Sequence, residues 1–192
     1  MTLAGKIAGV LGDLPNSKSV ARFDNAADRY FEAHIRGKPA LDRVMYTASA
    51  LGDHSIVWLA LAALQGPVSG KGWRPLVRAG ALLGAESVLV NGVVKLAFRR
   101  ERPNVSAPHP LPLRTPLTSS FPSGHASAAF FAAALLRRGN SWPVYYAVAS
   151  IVASSRVHVR MHHASDVMAG AALGAGLGEL ARAAFPLLPP QR

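Results

Sequence analysis

Long apolar runs alternate with short polar segments rich in glycine and proline along most of the chain. An apolar run of about 20 residues is long enough to cross a bilayer as a helix. The shorter runs reach that length only if each begins inside the polar motif beside it. The pattern therefore predicts an all-α membrane bundle, and its five predicted membrane segments are residues 44–64, 75–94, 123–136, 142–153 and 167–185.

Two of these runs carry features that predict local geometry. The first is interrupted by Gly-Asp-His-Ser at residues 52–55, so we expect the helix to break, or to be entered, near Gly52. The last is rich in alanine and glycine, a composition that lets helix backbones approach each other closely.

The amino-terminal segment, residues 1–40, is the most polar part of the chain. From Ser17 onward, apolar and aromatic residues recur at three- and four-residue steps, which predicts an amphipathic helix at the membrane interface or beside the bundle. A surface helix of a soluble domain fits this segment equally well. The residues of the stripe are Val20, Phe23, Ala27, Tyr30, Phe31 and His34. No cleaved signal peptide is expected, because no small-residue cleavage site follows a sufficiently long apolar core.

The predicted organisation has three parts: an amphipathic segment over residues 1–40, a membrane-embedded domain over 41–186 and a tail over 187–192. Composition supports the membrane assignment, since 50% of the 192 residues are apolar and only 16% are charged, against about 25% in soluble domains. The absence of cysteine excludes disulfides and thiolate metal sites.

The net charge of +11 comes from arginines and lysines that flank the apolar segments. This distribution suits anionic lipid headgroups or a phosphorylated substrate, and no nucleic-acid-binding module is present in the sequence. Nucleic acid is therefore not an expected partner.

The first chemical candidate is Phe-Pro-Ser-Gly-His-Ala-Ser at residues 121–127, directly before an apolar run. We expect a helix to start here with Pro122 in its first turn. The backbone N–H groups of Ser123 and Gly124 would then face an anion, and His125 could give it a proton. Alone, the stretch is equally typical of a turn before an apolar helix.

The second candidate is the pair Lys95 and Arg102, at the end of the second apolar run. If the helix continues, Arg102 falls two turns beyond Lys95 and both cations can reach the same spot. Taken alone, the pair is more typical of basic side chains that snorkel to a membrane surface.

The third candidate is the segment 154–166, where Arg156 precedes His162 by six positions and Asp166 follows it by four. Residues at i and i+4 share a helix face, so Asp166 can accept a hydrogen bond from one ring nitrogen of His162 and make the other more nucleophilic. A histidine and an aspartate at this spacing, taken by themselves, more often have a structural role. The histidines of this segment also suggest a metal site. However, Arg156 and Arg160 would repel a cation, and no supporting pattern of metal ligands accompanies the histidines.

The three candidates lie at the ends of apolar runs that helix alternation places on one side of a membrane. Several cations, a hydroxyl-and-amide cradle and two histidines fit phosphoryl transfer without a metal ion. The cations would hold the phosphoryl oxygens as Mg²⁺ does elsewhere. One histidine would attack and the other would protonate the leaving oxygen.

In this order, K-x6-R-P (residues 95–103), P-S-G-H (122–125) and S-R-x5-H-x3-D (155–166) resemble the three motifs of the type 2 phosphatidic acid phosphatase superfamily, which also includes vanadium haloperoxidases. The resemblance implies that His162 is the nucleophile that forms a phosphohistidine, that Asp166 orients it and that His125 is the general acid. It also implies a set of residues that bind the phosphoryl group: Lys95, Arg102, Ser123, Gly124 and Arg156.

The membrane-bound branch of this superfamily acts on lipid phosphates and polyprenyl diphosphates without a metal or other cofactor. The resemblance thus implies an integral-membrane lipid phosphatase whose partners are a lipid phosphate and membrane lipids, and it is compatible with a homo-oligomer. Members commonly have six spanning helices, so we expect five to six here. Basic residues on the side opposite the site favour a multi-pass protein of the cell membrane with its site outside the cytoplasm; they are Lys71, Arg74, Arg78, Arg137 and Arg138.

Two alternatives remain at this stage. A vanadate-dependent haloperoxidase would use the same anion cradle, although such proteins resemble larger soluble domains. A catalytically silent binder of phospholipid headgroups would keep the anion site without turnover, and the intact pair of His162 and Asp166 argues against it.

Overall fold

The computed structural model of the chain describes residues 13–104 and 118–186, and these residues form helices joined by turns and short extended segments. The predicted all-α class is confirmed for this part of the chain. The predicted tail, residues 187–192, and the first twelve residues lie outside the described residues.

The described fold is built on seven helices: α1 Lys18–His34, α2 Pro39–Gly52, α3 Ile56–Val68, α4 Arg74–Ser87, α5 Gly124–Leu136, α6 Trp142–His158 and α7 Ala164–Ala184. A π-helical turn, Val88–Val93, and a 3-10 turn, Val94–Ala97, extend α4. Further 3-10 turns are Leu14–Asn16, Asp53–Ser55 and Gly139–Ser141.

Helix α1 forms where the periodicity predicts it, but its inward face differs from the prediction. Ser17 caps the helix by accepting the N–H of Val20 at 3.4 Å. The most buried side chain of the helix is Asp24, at 5% exposure, whereas Phe23 and Tyr30 are exposed. The inward face of α1 therefore combines the buried carboxylate of Asp24 with Phe31, the residue of the stripe that packs against a core cluster.

The predicted break at Gly52 is confirmed. Helices α2 and α3 meet at an angle of 71° across Asp53–Ser55, and Ser55 has a left-handed φ of 58°. A Cβ added to Gly52 would lie 2.9 Å from Val152 and 3.2 Å from the ring of His125. Glycine therefore allows the end of α2 to approach that histidine.

Helix α5 is the centre of the bundle, and α7 packs directly on its backbone. Added Cβ atoms at Gly170, Gly174 and Gly178 of α7 would lie 2.3, 2.0 and 2.5 Å from carbonyl oxygens of α5 and its cap, those of Ser123, Ser127 and Phe131. The small residues of the last apolar run thus permit the close approach that the sequence predicts.

Within the described residues, one helical stretch, residues 74–97, is long and apolar enough by itself to cross a membrane. A second span results if the bent pair α2 and α3 is counted as one. The prediction of five to six spanning helices is therefore not confirmed by length and composition. The outer surface is nevertheless strongly apolar along this stretch, with Val77, Val88, Leu89, Val93 and Leu96 all exposed.

Candidate active site

The end of α4, the start of α5 and the turn between α6 and α7 meet at one end of the bundle. The turn places Nε2 of His162 3.3 Å from Nη1 of Arg102. Lys95 is buried, at 6% exposure, and lies within electrostatic range of Arg102 and Arg156. The structure therefore brings together the cations that the sequence analysis selected from three separate motifs.

Arg102 reaches this site by a different route from the predicted one. The helix ends at Ala97 and Phe98 is extended, so Arg102 does not lie two turns further along a helix. Its guanidinium donates hydrogen bonds to the carbonyl oxygens of Met161 at 2.7 Å and Thr118 at 3.3 Å. Backbone carbonyls thus fix the guanidinium beside His162.

His162 is oriented by a backbone carbonyl instead of by a direct bond to Asp166. Nδ1 of His162 lies 2.7 Å from the carbonyl oxygen of Ser120 but 3.7 Å from Oδ2 of Asp166, which is too long for a hydrogen bond. The predicted direct bond is absent because His162 precedes α7 and does not share a helical face with Asp166. Since the carbonyl can only accept, Nδ1 carries the proton and Nε2 keeps its lone pair.

The electrostatic setting keeps the His162 ring neutral. Burial above all, and then the positive charges of Arg102, Arg156 and Lys95, lowers the pKa of His162 from 6.5 to about 3. The ring is therefore neutral at pH 7, with its one proton on Nδ1 and none on Nε2. An unprotonated Nε2 is the form that can act as a nucleophile.

Asp166 acts on His162 through Ser120. Its Oδ2 accepts the hydroxyl of Ser120 at 2.6 Å and the backbone N–H of His163 at 2.9 Å. Its Oδ1 accepts a hydrogen bond from Nη1 of Arg100. The side chain is fully buried, so the carboxylate is held in one position by donors on both oxygens.

At the start of α5, Ser123 is the helix cap, so Pro122 precedes the cap and is not in the first turn as expected. The hydroxyl of Ser123 accepts the N–H of Ala126 at 3.4 Å, which leaves its proton available to an anion. Its backbone N–H donates to the carbonyl of Asp166 at 2.9 Å, contrary to the expectation that this N–H faces an anion.

In addition to the phosphoryl-binding role predicted for it, Gly124 has a role in packing. A Cβ at this position would lie 2.4 Å from Oδ1 of Asn91, in the π-helical turn that follows α4. Glycine therefore allows α4 and α5 to meet closely beside the cations. The N–H of Gly124 is in the first turn of α5, where backbone donors lack an intrahelical acceptor.

His125 contacts a carboxylate that the sequence-based site prediction missed. Nε2 of His125 lies 2.7 Å from Oδ1 of Asp53, in the turn that separates α2 from α3. The polar interruption at residues 52–55 is the signal for this carboxylate in the sequence, but by itself it predicts only a helix break. Asp53 offers an acceptor that orients the His125 ring.

The guanidinium groups of Arg102 and Arg156 hold unused donors. Arg156 is 2% exposed and donates from Nη1 to Ser49. Within the described residues, the buried Nε of Arg102 and that of Arg156 have no hydrogen-bond partner. A buried donor without an acceptor costs about 1–3 kcal/mol, so a bound anion would relieve this cost.

In residues 13–104 and 118–186, no group of three or more His, Asp or Glu side chains is arranged to hold a metal. A cavity of about 330 Å³ opens beside His162, and its polar lining includes Asn25, Asn104, Arg160 and His163 together with the carboxylates of Asp24 and Asp28. The arrangement can therefore hold a phosphate against a neutral histidine and accommodate a polar group next to it.

Three comparisons place this geometry among known proteins. The family model of the PAP2 superfamily matches residues 75–187, which include all three motifs. The chain is 34% identical over 145 residues to a decaprenylphosphoryl-5-phosphoribose phosphatase of Mycolicibacterium smegmatis, covering 72% of this chain and 76% of that protein. It is 38% identical over 119 residues to a lipid A 1-phosphatase of Porphyromonas gingivalis, covering 57% of this chain and 24% of that protein.

The fold matches a solved membrane protein. The crystal structure of a transmembrane PAP2-type phosphatidylglycerolphosphate phosphatase from Bacillus subtilis aligns with a TM-score of 0.69 at 24% identity. The alignment covers 97% of this chain and 96% of that one. The described helices thus share the fold of that protein.

Proposed function

The chain belongs to the PAP2 superfamily and is a lipid phosphatase, and we propose that it releases inorganic phosphate by way of a phosphohistidine on His162. One observation carries this proposal. The unprotonated Nε2 of His162 faces Arg102 at 3.3 Å, beside buried guanidinium donors that lack a partner among the described residues. A phosphoryl group bound to those donors would present its phosphorus atom to Nε2.

In the first step, Nε2 of His162 attacks phosphorus and the bond from phosphorus to the lipid oxygen breaks. His125 gives its proton to that leaving oxygen, a contribution of about 10²–10⁴-fold for a well-placed general acid. Lys95, Arg102 and Arg156 stabilise the negative charge that spreads over the phosphoryl oxygens.

In the second step, a water molecule attacks the phosphohistidine and the bond between phosphorus and Nε2 breaks. His125, now neutral, takes the proton from that water, and inorganic phosphate leaves. We assign Ser123 and Gly124 to binding of the phosphoryl oxygens, and Asp166 to orienting His162 through Ser120. No metal ion enters either step.

The relatives are named as phosphatases of phosphorylated lipids: decaprenylphosphoryl-5-phosphoribose, lipid A and phosphatidylglycerolphosphate. We propose that the substrate here is of the same kind. The cavity beside His162 is lined by asparagine, arginine and histidine and by the carboxylates of Asp24 and Asp28, and this polar lining supports a polar headgroup next to the phosphate. Decaprenylphosphoryl-5-phosphoribose is the first candidate, because that relative matches over 72% of the chain.

We further propose a multi-pass protein of the cell membrane with its site on the non-cytoplasmic side. The basic residues Arg137 and Arg138 follow the end of α5 that lies away from His125. Helix α1 would lie along the interface on the side of the site, with Phe23 and Tyr30 exposed towards lipid.

The test is a phosphate-release assay on purified protein in detergent, across a panel of lipid phosphates and a prenyl diphosphate. His162→Ala is expected to lower phosphate release at least about 1,000-fold, because it removes the nucleophile. His34→Ala, a change of the same kind at an exposed histidine of α1, is the matched control and should retain wild-type activity.

Three outcomes would contradict the proposal. Wild-type release by His162→Ala would remove the nucleophile assignment. Inhibition by EDTA that Mg²⁺ reverses would contradict a metal-free reaction. Lipid-phosphate binding without any release by the wild-type protein would favour a headgroup-binding protein.

A further inference from the structure

We propose that Asp24, on the amino-terminal helix α1, is a positioning residue for the phosphatase reaction and acts through Arg100 on Asp166. This inference rests on the proposed function, and Asp24 lies more than 70 residues before the first motif. It makes α1 a part of the active-site structure instead of a membrane attachment alone.

Both carboxylate oxygens of the buried Asp24 accept hydrogen bonds. Its Oδ2 accepts hydrogen bonds from Nη2 of Arg100 at 2.6 Å and from the hydroxyl of Ser165 at 2.8 Å. Its Oδ1 accepts the backbone N–H of Ser165 at 2.8 Å. Ser165 is the second residue of α7, so the carboxylate satisfies a free donor at the positive end of that helix.

Arg100 connects this carboxylate to the one beside the nucleophile. Its Nη2 binds Asp24, and its Nη1 donates to Oδ1 of Asp166 and to the hydroxyl of Ser165. The side chain of Arg100 is 6% exposed, between partners that are 4% and 0% exposed. A planar guanidinium held by two carboxylates has one orientation, and that orientation fixes Asp166.

The contacts continue from Asp166 to the nucleophile. Oδ2 of Asp166 accepts the hydroxyl of Ser120, and the carbonyl of Ser120 accepts the proton on Nδ1 of His162. The chain of hydrogen bonds therefore runs from Asp24 through Arg100, Asp166 and Ser120 to His162. A displacement of Asp24, the first residue of this chain of hydrogen bonds, changes the position from which Nε2 attacks phosphorus.

Charge explains why α1 buries an aspartate on its inward face. The cluster contains two carboxylates and one guanidinium, and a buried charge that loses its partner is strongly destabilised. Without the negative charge of Asp24, the Nη2 side of Arg100 loses its anchor. Arg100 can then rotate away from Asp166, whose hold on Ser120 weakens.

A residue that merely fastened α1 to the bundle would behave differently from a positioning residue. Its loss would lower thermal stability and yield, but the folded fraction would keep its kcat. A positioning residue changes kcat while KM and inhibition by inorganic phosphate stay nearly constant, because the proposed phosphate ligands Lys95, Arg102 and Arg156 do not touch Asp24. Asp24 also lines the cavity beside His162, so a large rise in KM with unchanged kcat would indicate direct headgroup binding and overturn the positioning role. The ratio of the effects on kcat and KM therefore separates the two roles.

The experiment measures kcat, KM and inhibition by inorganic phosphate for wild type and Asp24→Asn in detergent. We expect kcat to fall about 10- to 100-fold, the scale of a slightly misplaced reacting group. KM and phosphate inhibition should stay within about threefold of wild type, because the phosphate-binding cations are unchanged.

Glu32→Gln is the matched control. Glu32 also lies on α1 and pairs across to Arg160 at 2.7 Å, but its side chain is 60% exposed and has no contact with Arg100 or Asp166. An exposed ion pair contributes little, so this variant should keep kcat within about twofold. It removes one negative charge from the same helix, as Asp24→Asn does.

Arg100→Lys is a second variant that tests the inference if Asp24→Asn does not fold. Lysine keeps the positive charge but lacks the planar guanidinium whose N–H groups bind two carboxylates in a fixed geometry, so kcat should fall by a similar factor. In the double variant the losses should be clearly smaller than the product of the single ones, because both act through one chain of contacts.

Wild-type kcat in a folded Asp24→Asn or Arg100→Lys protein would overturn the inference while leaving the phosphatase assignment intact. A fall in kcat for Glu32→Gln equal to that for Asp24→Asn would also overturn it, since α1 would then act only as a tether. Absence of phosphate release by the wild-type protein, in contrast, contradicts the proposed function itself.

Discussion

At the scale of single residues, the chemistry depends on which nitrogen of His162 carries the proton. The carbonyl oxygen of Ser120, 2.7 Å from Nδ1, fixes that proton on Nδ1. Asp166 is too far from the ring for a hydrogen bond and is connected to it through Ser120. Burial among cations removes the charged form of the ring. The features that leave Nε2 free for the proposed attack therefore also bury a titratable group where its protonation is unfavourable.

This gives a prediction about pH. The unfolded chain protonates His162 near pH 6.5, whereas the folded protein does so only near pH 3, so the free energy of unfolding should fall as pH drops from about 6.5 towards 3. Well above pH 6.5 the titration of this histidine adds no pH dependence to the free energy of unfolding. Thermal unfolding in detergent at pH 7.5, 6.0 and 5.0 should show a smaller loss of stability in His162→Asn than in wild type. Equal losses in the two proteins would contradict the buried, neutral histidine.

At the scale of elements, the close pair of α5 and α7 holds the motifs in register. The N–H of Ser123 donates to the carbonyl of Asp166 across the pair, next to the contact of Gly170 with Ser123. One turn further, an added Cβ at Gly174 would lie 2.0 Å from the carbonyl oxygen of Ser127. A change in the spacing of these helices therefore moves the phosphate cradle relative to His162.

We predict that Gly174→Ala destabilises the protein by about 1–3 kcal/mol, because an added methyl group separates the two backbones. Gly176→Ala is the control: a Cβ there has no atom within 4 Å, and alanine favours the helix by about 0.5–1 kcal/mol. Thermal unfolding in detergent compares the two. Similar midpoints for both variants would show that the spacing of α5 and α7 tolerates the extra atom.

At the scale of the whole molecule, the site lies at one end of the bundle and the basic turn after α5 at the other. Helix α1 meets the end that carries the site, through Asp24 and Ser165. The proposed multi-pass topology puts these two ends on opposite faces of a membrane. The proposed orientation puts the site and α1 outside the cytoplasm.

The chain contains no cysteine, so single cysteines can report this orientation directly. We predict that Lys18→Cys, at the exposed start of α1, reacts with a membrane-impermeant maleimide on intact cells. Asn140→Cys, exposed in the turn after α5, should react only after the membrane is opened. The reverse pattern would place the site in the cytoplasm, and labelling of both on intact cells would contradict opposite faces.

The sequence by itself determined the helices, the break at Gly52, the small-residue face of α7 and the set of cations and histidines at one end of the bundle. These features depend on local patterns: apolar run length, helical periodicity and motif spacing act over a few turns of chain. Only the tertiary structure decided that Ser120 orients His162, that Asp53 contacts His125, and that Asp24 reaches Asp166 through Arg100. Arg100 is 76 residues from Asp24 and 66 from Asp166, so these contacts depend on how distant helices pack, which no local pattern encodes.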